Sequence, residues 1–256
     1  MEKEKNLILF VHGFIGTPYI FKDYSDRLAA DGYSVESIIL PGHEGSGLDF
    51  AKSTYKDWEN HLQAELEKKI GNYEKIILVG HSMGGLLSLC SSVNNPGKIE
   101  GLVIIASPIH TKVTFGALRN MVNVAFFKDK HNEQIDTLRE NFAIKDDETY
   151  LFPLWLKPLM HLNKVIERTK KIVPIVHIPI LLIYSEGDEI VNFNSHAYLK
   201  ENLVKARTES LIVTASEHAY HAKDEIPLIE EAIVKFIDTL LDESDSQSDN
   251  NTPQVE

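Results

Sequence analysis

The sequence predicts an α/β fold with a mostly parallel central sheet and helices on both of its faces. Short apolar runs, typical of strands buried on both faces, alternate along the chain with longer runs of helical periodicity. Repeated strand–helix units favour parallel pairing, because each helix carries the chain back across the sheet. The 256 residues suffice for one large domain with a substantial core.

The first strand–helix unit illustrates how the elements are predicted. Residues 7–11 form an unbroken apolar run of strand length. Thr17 then provides an N-cap, Pro18 suits the first helical turn, and a helix over residues 19–30 follows, which Gly32 ends. The other predicted strands span residues 33–40, 75–79, 99–106, 180–184 and 209–214. The other predicted helices span residues 55–70, 83 to a stop at 95–97, 193–202 and 226–241.

The alternation breaks in the middle of the chain and again at its end. Residues 110–170 contain helical patterns over 115–127 and 135–142 and a proline-punctuated apolar stretch over 151–158, without a convincing strand. This interruption predicts a small helical cap inserted over one end of the sheet. The last residues are acidic, rich in Ser, Asn and Gln, and almost devoid of apolar side chains, which is typical of disorder. The predicted division is a core of residues 1–109 and 171–241, a cap of residues 110–170 and a disordered acidic tail of residues 242–256.

Composition excludes several classes of function. The formal net charge of −12 argues against a nucleic-acid partner, since such proteins concentrate Lys and Arg. The single cysteine, Cys90, cannot form an intramolecular disulfide, and no Cys or His spacing typical of a metal site occurs. No segment has the length of a signal peptide core or a membrane span. We therefore expect a cytoplasmic protein without stable membrane insertion; the oligomeric state stays open.

A G-x-S-x-G element follows the third predicted strand. Residues 80–85 read Gly-His-Ser-Met-Gly-Gly directly after the apolar run 75–79 and before a helical pattern. Glycines let neighbouring backbone approach a tight turn without a Cβ clash, and such a turn exposes the serine oxygen at the end of the sheet. The placement predicts that Ser82 is a nucleophile.

Two further polar residues follow strands at the same edge of the sheet. Asp188 comes after the strand 180–184, and His218 comes after the strand 209–214. Ligands of open α/β sheets bind beyond the carboxyl ends of the strands, so these side chains are expected to converge with Ser82. A histidine can take the serine proton and return it to the leaving group, and a carboxylate can orient the imidazole and stabilise its positive charge.

The tetrahedral intermediate of such a reaction carries an oxyanion, which needs preorganised donors. The N–H of Met83 follows the nucleophile at a helix N-terminus, where the helix dipole favours negative charge. A second N–H is expected from the loop after the first strand, with Phe14 as the candidate. Gly13 and Gly16 allow that loop to curve toward the site.

Five segments together resemble the α/β-hydrolase superfamily, with the nearest likeness to small bacterial carboxylesterases and monoacylglycerol lipases. These segments are His12-Gly13-Phe14, Pro41-Gly42-His43, residues 80–85, Gly187-Asp188 and His218. The resemblance implies a serine esterase with a small cap, no cofactor and an acyl pocket beneath the cap. It implies catalytic positions for Ser82, Asp188 and His218, and oxyanion positions for the N–H groups of Phe14 and Met83.

Some assignments have rivals in the sequence. Many family members have glycine before the catalytic histidine, whereas this chain has Glu217, which could alter the loop or the pKa of the base. Glu186 and Glu189 are alternatives to Asp188, and His221 is the alternative to His218. Loop orientation or packing, rather than reaction, is the expected role of three further histidines: His12, His43 and His81.

The predicted activity is hydrolysis of carboxylic esters of short-to-medium acyl chains through an acyl-enzyme, with monoacylglycerol as one candidate substrate. Thioesterase, lactonase and C–C bond hydrolase activities use the same three residues and stay open. A ligand receptor on the same fold and a scaffold that binds protein through its cap are non-enzymatic alternatives. Candidate substrate contacts are apolar residues of the predicted cap: Phe115, Phe126, Leu154 and Trp155.

Overall fold

A computed structural model of the chain describes residues 3–112, 133–144, 151 and 153–250. Its centre is a six-stranded sheet in which every neighbouring pair of strands is parallel, in the order β2-β1-β3-β4-β5-β6. The strands are β1 (Asn6–Val11), β2 (Ser34–Ile38), β3 (Lys75–His81), β4 (Ile99–Ile105), β5 (Ile180–Ser185) and β6 (Thr208–Val213). The predicted α/β fold with a parallel sheet is confirmed.

Helices cover both faces of this sheet. They are α1 (Lys22–Ala30), α2 (Gly47–Lys52), α3 (Tyr55–Lys69), α4 (Met83–Asn94), α5 (Glu133–Asn141), α6 (Leu156–Ile172), α7 (Asn194–Asn202) and α8 (Ile226–Asn250). Successive side chains of a strand point to opposite faces, so Leu7 and Leu9 pack with α3, α4, α6 and α7. Ile8 and Phe10 pack with α1 and α8 on the other face. All four are fully buried, which explains why the strand reads as a continuous apolar run.

The first helical segment starts as predicted but in a different form. Thr17 accepts a hydrogen bond from the N–H of Tyr19 (3.2 Å), and a 3₁₀ turn over Pro18–Phe21 precedes α1. Thr54 likewise caps α3 through a reciprocal capping box with Asp57. The starts of these two segments are therefore set by local hydrogen bonds.

Two helices are additional to those predicted. The long helix α6 contains Pro158 in its first turn, where a missing N–H costs nothing because it has no intrahelical acceptor. One stripe of α6, including Leu162 and Val165, is buried against α4. The prolines of the 151–158 stretch are typical of helix breaks, so this helix was not predicted from the sequence. The short α2 is capped by Ser46, which accepts from the N–H of Asp49 (3.3 Å).

The predicted cap and tail are described only in part. Within residues 133–144 the chain forms α5, and residues 113–132, 145–150 and 152 lie outside the described residues. The last helix continues to Asn250 rather than ending at residue 241, so the tail is helical over its first nine residues. Extending an existing helix costs little, and no Gly or Pro interrupts the chain before Pro253. Residues 251–256 lie outside the description, and disorder there stays a prediction.

No helix within the described ranges is both long enough and apolar enough to cross a membrane. The cellular location of the protein stays a prediction from the sequence.

Candidate active site

Ser82 lies at the junction of β3 and α4 in a strained conformation. Its backbone has φ 53° and ψ −121°, a region that non-glycine residues rarely adopt. The strain is held by packing that only glycine permits, since a Cβ on Gly84 would lie 1.9 Å from the carbonyl oxygen of Val11. The turn is also fixed by hydrogen bonds from the N–H of Ser82 to the Ile105 carbonyl (2.8 Å) and from Ser107 Oγ to the Ser82 carbonyl (2.8 Å). The strain points to function rather than to folding.

Three side chains meet at this turn in a continuous line. His218 Nε2 lies 3.0 Å from Ser82 Oγ, and His218 Nδ1 lies 2.8 Å from Asp188 Oδ2. All three are at least 94% buried. The second oxygen of Asp188 accepts hydrogen bonds from the N–H groups of Ile190 (2.8 Å) and Val191 (2.7 Å), which fix its orientation. The structure therefore brings together the serine, histidine and aspartate that the sequence selects.

The rivals of Asp188 and His218 occupy other positions. Glu186 is exposed, and Glu189 binds the backbone N–H of His218 (3.0 Å) rather than its ring. The ring of His221 binds the hydroxyl of Tyr24 (2.6 Å). Only Asp188 and His218 complete a line of hydrogen bonds to Ser82.

The proton equilibria of the buried pair follow from their contact. Burial alone would lower the pKa of His218, but the charge and hydrogen bond of Asp188, aided by Glu189, raise it above the ordinary value of 6.5. Burial alone would raise the pKa of Asp188, but the His218 ring and the two backbone donors lower it. The pair is thus stabilised as carboxylate and imidazolium, the state that forms when a histidine takes a proton.

The loop after β1 lies directly against Ser82. A Cβ on Gly13 would lie 2.8 Å from Ser82 Cβ, so only glycine permits this approach. The ring of Phe14, the next residue, packs edge-on against Phe50 with ring centroids 5.0 Å apart. Met83 is the first residue of α4, where backbone N–H groups lack intrahelical acceptors. The oxyanion roles of the Phe14 and Met83 N–H groups stay a prediction.

Two buried histidines shape this loop, as the sequence analysis expects. His12 Nε2 accepts the N–H of Leu40 (3.0 Å), and His43 Nε2 accepts the N–H of Ile15 (3.1 Å). Burial lowers the pKa of His12 to about 4 and that of His43 to about 3. Both rings therefore stay neutral, since an acceptor nitrogen carries no proton.

Helix α5, which lies within the predicted cap, contacts both loops of the site. Asn141, at its end, accepts the N–H of Thr17 (3.1 Å) through its carbonyl oxygen. Its side-chain Nδ2 donates to the carbonyl of Ala219 (2.9 Å), next to His218. The N–H of Ala143 donates to the carbonyl of Ile15 (2.9 Å). These contacts are long-range in sequence, so no local pattern predicts them.

Glu225 has a structural role next to the site that the sequence did not predict. Its carboxylate accepts hydrogen bonds from the N–H groups of Thr214 (2.7 Å), Ala215 (2.9 Å) and Ser216 (2.8 Å). It also accepts from the hydroxyls of Ser216 (2.6 Å) and Thr214 (3.3 Å). Burial would raise the pKa of Glu225, but these donors outweigh it and hold the pKa at about 2. The carboxylate therefore fixes the loop that leads from β6 to His218.

The space over Ser82 and His218 is small. It is a cavity of about 20 Å³ whose walls include Phe14, Ile20 and Phe142. Of the predicted substrate contacts, Leu154 is exposed, whereas Trp155 is buried against Phe50 and donates from Nε1 to the Gly47 carbonyl (3.1 Å). Neither lines this cavity, and Phe115 and Phe126 lie outside the described residues. Their contact with substrate stays a prediction.

The described residues do not provide a ligand set of the kind that binds metal ions. Among the described residues, no group of three or more His, Cys, Asp or Glu side chains is placed to hold a metal ion.

Curated relatives match over most of the chain. A thermostable monoacylglycerol lipase of Bacillus sp. (strain H-257) is 25% identical over 229 residues, covering 90% of this chain and 89% of the relative. A carboxylesterase of Bacillus subtilis (strain 168) is 23% identical over 238 residues, covering 91% and 92%.

Solved structures match the fold. A chain from work on two metagenome-derived lipolytic enzymes, LipS and LipT, superposes with a TM-score of 0.71 at 20% identity, covering 93% of this chain and 95% of that chain. Paleococcus ferrophilus monoacylglycerol lipase superposes with a TM-score of 0.67 at 18% identity, with the same coverage. At this identity the likeness concerns the fold, which is that of an α/β-hydrolase. The model of the family described as serine aminopeptidase, S33, matches residues 2–225, and the chain belongs to this α/β-hydrolase family.

Proposed function

We propose that this chain, a carboxylic ester hydrolase by its family and relatives, cleaves esters of short-to-medium acyl chains through an acyl-enzyme on Ser82. The observation that carries the proposal is the line from Ser82 Oγ through His218 to Asp188, with contacts of 3.0 and 2.8 Å. A serine hydroxyl is a weak nucleophile unless an adjacent base takes its proton, and this line supplies one.

In the proposed reaction, Ser82 Oγ attacks the ester carbonyl while His218 Nε2 takes its proton. Asp188 holds Nδ1–H and stabilises the imidazolium. The bond between the carbonyl carbon and the alcohol oxygen then breaks, and His218 returns the proton to the departing alcohol. Water, deprotonated by His218, attacks the acyl-enzyme, and the acid leaves as Ser82 regains its proton.

Charge on the carbonyl oxygen needs two donors in this scheme. The N–H of Met83 is unpaired within its helix and lies at the positive end of the α4 dipole. The N–H of Phe14 follows Gly13, whose backbone packs so closely against Ser82 that a Cβ on Gly13 would lie 2.8 Å from Ser82 Cβ. Removal of one such donor in other serine hydrolases costs about 10²–10³ in kcat.

An ester fits the site better than an N-terminal peptide, although the family description names an aminopeptidase. An aminopeptidase must hold the ammonium group of its substrate, for which a carboxylate is the usual partner. None of the described residues that line the cavity over Ser82 is acidic. Asp188 is buried and already bound to His218 and to backbone donors.

The experiment compares two chromogenic substrates, p-nitrophenyl butyrate and alanine p-nitroanilide, with wild type, Ser82→Ala and Ser25→Ala. Ser25 offers a matched control because it lies on α1 and bonds only the Lys22 carbonyl in the described structure. We expect ester cleavage by wild type and Ser25→Ala, and a loss of about a millionfold in kcat for Ser82→Ala.

Other outcomes redirect the proposal. Cleavage of the anilide alone would make the chain a peptidase, and binding without cleavage would make it a receptor. Residual activity of Ser82→Ala near that of the wild type would remove Ser82 from the reaction. A series from acetate to palmitate esters then tests the acyl length, and glycerol monobutyrate tests the monoacylglycerol hypothesis.

A further inference from the structure

Two side chains outside the catalytic line hold the peptide groups of His218. Glu189 Oε2 accepts its N–H at 3.0 Å, and His81 Nε2 lies 2.9 Å from its carbonyl oxygen. A carbonyl only accepts, so Nε2 of His81 carries the proton. Burial lowers the pKa of His81 well below its ordinary value, so this ring donates in its neutral form. The backbone of His218 is therefore clamped on both sides.

The two clamps differ in charge and exposure. His81 is buried and neutral, whereas Glu189 is exposed and carries a formal charge. Glu189 directly follows Asp188 in the sequence, but the two carboxylates bind different parts of His218. One carboxylate thus contacts the ring and a second contacts the main chain of the same residue.

Among the described residues, charged and titratable groups approach His218 from several elements, in addition to Glu217 directly before it. From the loop after β5 come Asp188 and Glu189, and from the loop after β4 comes Lys112, whose Nζ lies 3.2 Å from the Asp188 carbonyl. The rings of His81 and His221 face it from the end of β3 and from its own loop. Burial keeps both rings neutral near pH 7. Two carboxylates therefore face one ammonium, and an opposite charge within a few ångströms favours the charged form of an imidazole.

We propose that Glu189 is a positioning residue, which fixes the main chain of His218 and stabilises the positive charge that the imidazole gains during catalysis. This inference rests on the proposed function, because it needs His218 to act as the base. It assigns to Glu189 a role distinct from that of Asp188, which orients the ring.

The test measures kcat, KM and their ratio for p-nitrophenyl butyrate from pH 5 to 9 in wild type, Glu189→Gln, Glu189→Ala and Glu186→Gln. Glutamine keeps an oxygen that accepts the His218 N–H but loses the charge. In Glu189→Gln we expect the acid limb of kcat/KM to move to lower pH by about 0.5 unit, because the imidazolium loses a nearby negative charge. The plateau should stay within about twofold of wild type, because an exposed charge acts through a high dielectric. Alanine also loses the acceptor, so we expect the plateau of kcat to fall about tenfold with KM unchanged.

Glu186→Gln is the matched control, since Glu186 is an exposed acid in the same loop. A shift in Glu189→Gln that exceeds the control and shrinks in 0.5 M salt supports the proposal. An acid limb identical to that of wild type overturns it, as does a shift equal to that of Glu186→Gln. If Glu189→Ala does not fold by circular dichroism, Glu189→Gln alone decides. A wild type without an acid limb contradicts the proposed function itself rather than the role of Glu189.

Discussion

Replacement of Glu225 by glutamine should destabilise the fold measurably, because five donors converge on one carboxylate. One oxygen receives Thr214 N, Thr214 Oγ1 and Ala215 N, and the other receives Ser216 N and Ser216 Oγ. In glutamine an NH₂ group replaces one of these oxygens and cannot accept. At least one buried backbone N–H then loses its partner, at a cost of about 1–3 kcal/mol.

The proton equilibrium of Glu225 supplies a second value for the same effect. Its pKa is about 2 in the folded chain against an ordinary 4.5. That difference corresponds to about 3 kcal/mol of stability at neutral pH, and screening is slight because Glu225 is only 6% exposed. A folded pKa below the unfolded one gives stability that is complete above about pH 4.5 and is lost as the pH falls through about 2. Both values reflect the same hydrogen bonds to the carboxylate, so they are alternative measures of one contribution and do not add.

The assay is urea unfolding of wild type, Glu225→Gln and Glu231→Gln at pH 7, 5 and 3.5. Glu231→Gln is the matched control, because Glu231 is exposed on α8 and the charge change is the same. We expect Glu225→Gln to lose about 3 kcal/mol at pH 7, or about 6–12 °C in Tm, and to lose less at pH 3.5. A loss under about 0.5 kcal/mol at pH 7, or a gap from wild type that does not shrink in acid, would refute the reasoning.

Two further predictions concern the turn at Ser82 and the proposed catalytic role of Asp188. Gly84→Ala should lower the free energy of unfolding by more than about 3 kcal/mol or prevent folding, because its Cβ would lie 1.9 Å from the Val11 carbonyl oxygen. Gly71→Ala is the control, since its Cβ meets nothing within 4 Å, and its unfolding midpoint should be close to that of wild type. Equal thermal unfolding midpoints for the two variants would contradict this packing argument. Asp188→Asn should lower kcat about ten-thousandfold with the fold intact, since the imidazole then adopts the wrong tautomer; steady-state kinetics measure this, and a near-normal rate would exclude Asp188 as the orienting acid.

Much of the fold could be predicted because buried parallel strands are apolar on both faces. Strand β1 reads as five consecutive apolar residues after Asn6, and the structure buries them all. Helix α6 escaped prediction because Pro158 resembles a breaker, and its tolerance in a first turn depends on where the helix begins. The residue before the first turn, Trp155, packs against Phe50, a contact between segments more than a hundred residues apart that no local pattern reveals.

The candidate site divides in the same way. Ser82, Asp188 and His218 could be selected because each follows a strand, and parallel strands place their ends at one edge. The roles of Glu225, Glu189 and Asn141 could not be predicted, because each binds backbone groups that lie 9, 29 and 78 residues away in the sequence, and no local pattern marks such contacts. Glu217, which stands where many family members have glycine, donates its N–H to the Tyr220 carbonyl (2.8 Å), and this loop still brings His218 to Ser82.

Acid should inactivate the protein long before it unfolds it, because the groups that govern activity and stability titrate far apart. The proposed mechanism needs neutral His218, and although burial alone would lower the pKa of this ring, contact with Asp188 raises it above the ordinary value of 6.5. The loop that carries His218 depends on Glu225, which stays ionised until about pH 2. Asp188, with a lowered pKa, also keeps its charge when His218 becomes protonated, and the resulting ion pair strengthens the site.

We therefore expect ester hydrolysis to fall to about a tenth or less between pH 7.5 and 5.5, because a pKa above the ordinary value makes the fall at least that large, while near-ultraviolet circular dichroism stays unchanged. Full activity should return within the mixing time when the sample is brought back to pH 7.5, since only a proton has been exchanged. Loss of the near-ultraviolet signal in parallel with activity would mean that acid unfolds the loop from β6 to His218 before protonation of His218 alone can explain the loss of activity. In that case the five hydrogen bonds to Glu225 contribute far less than their geometry indicates.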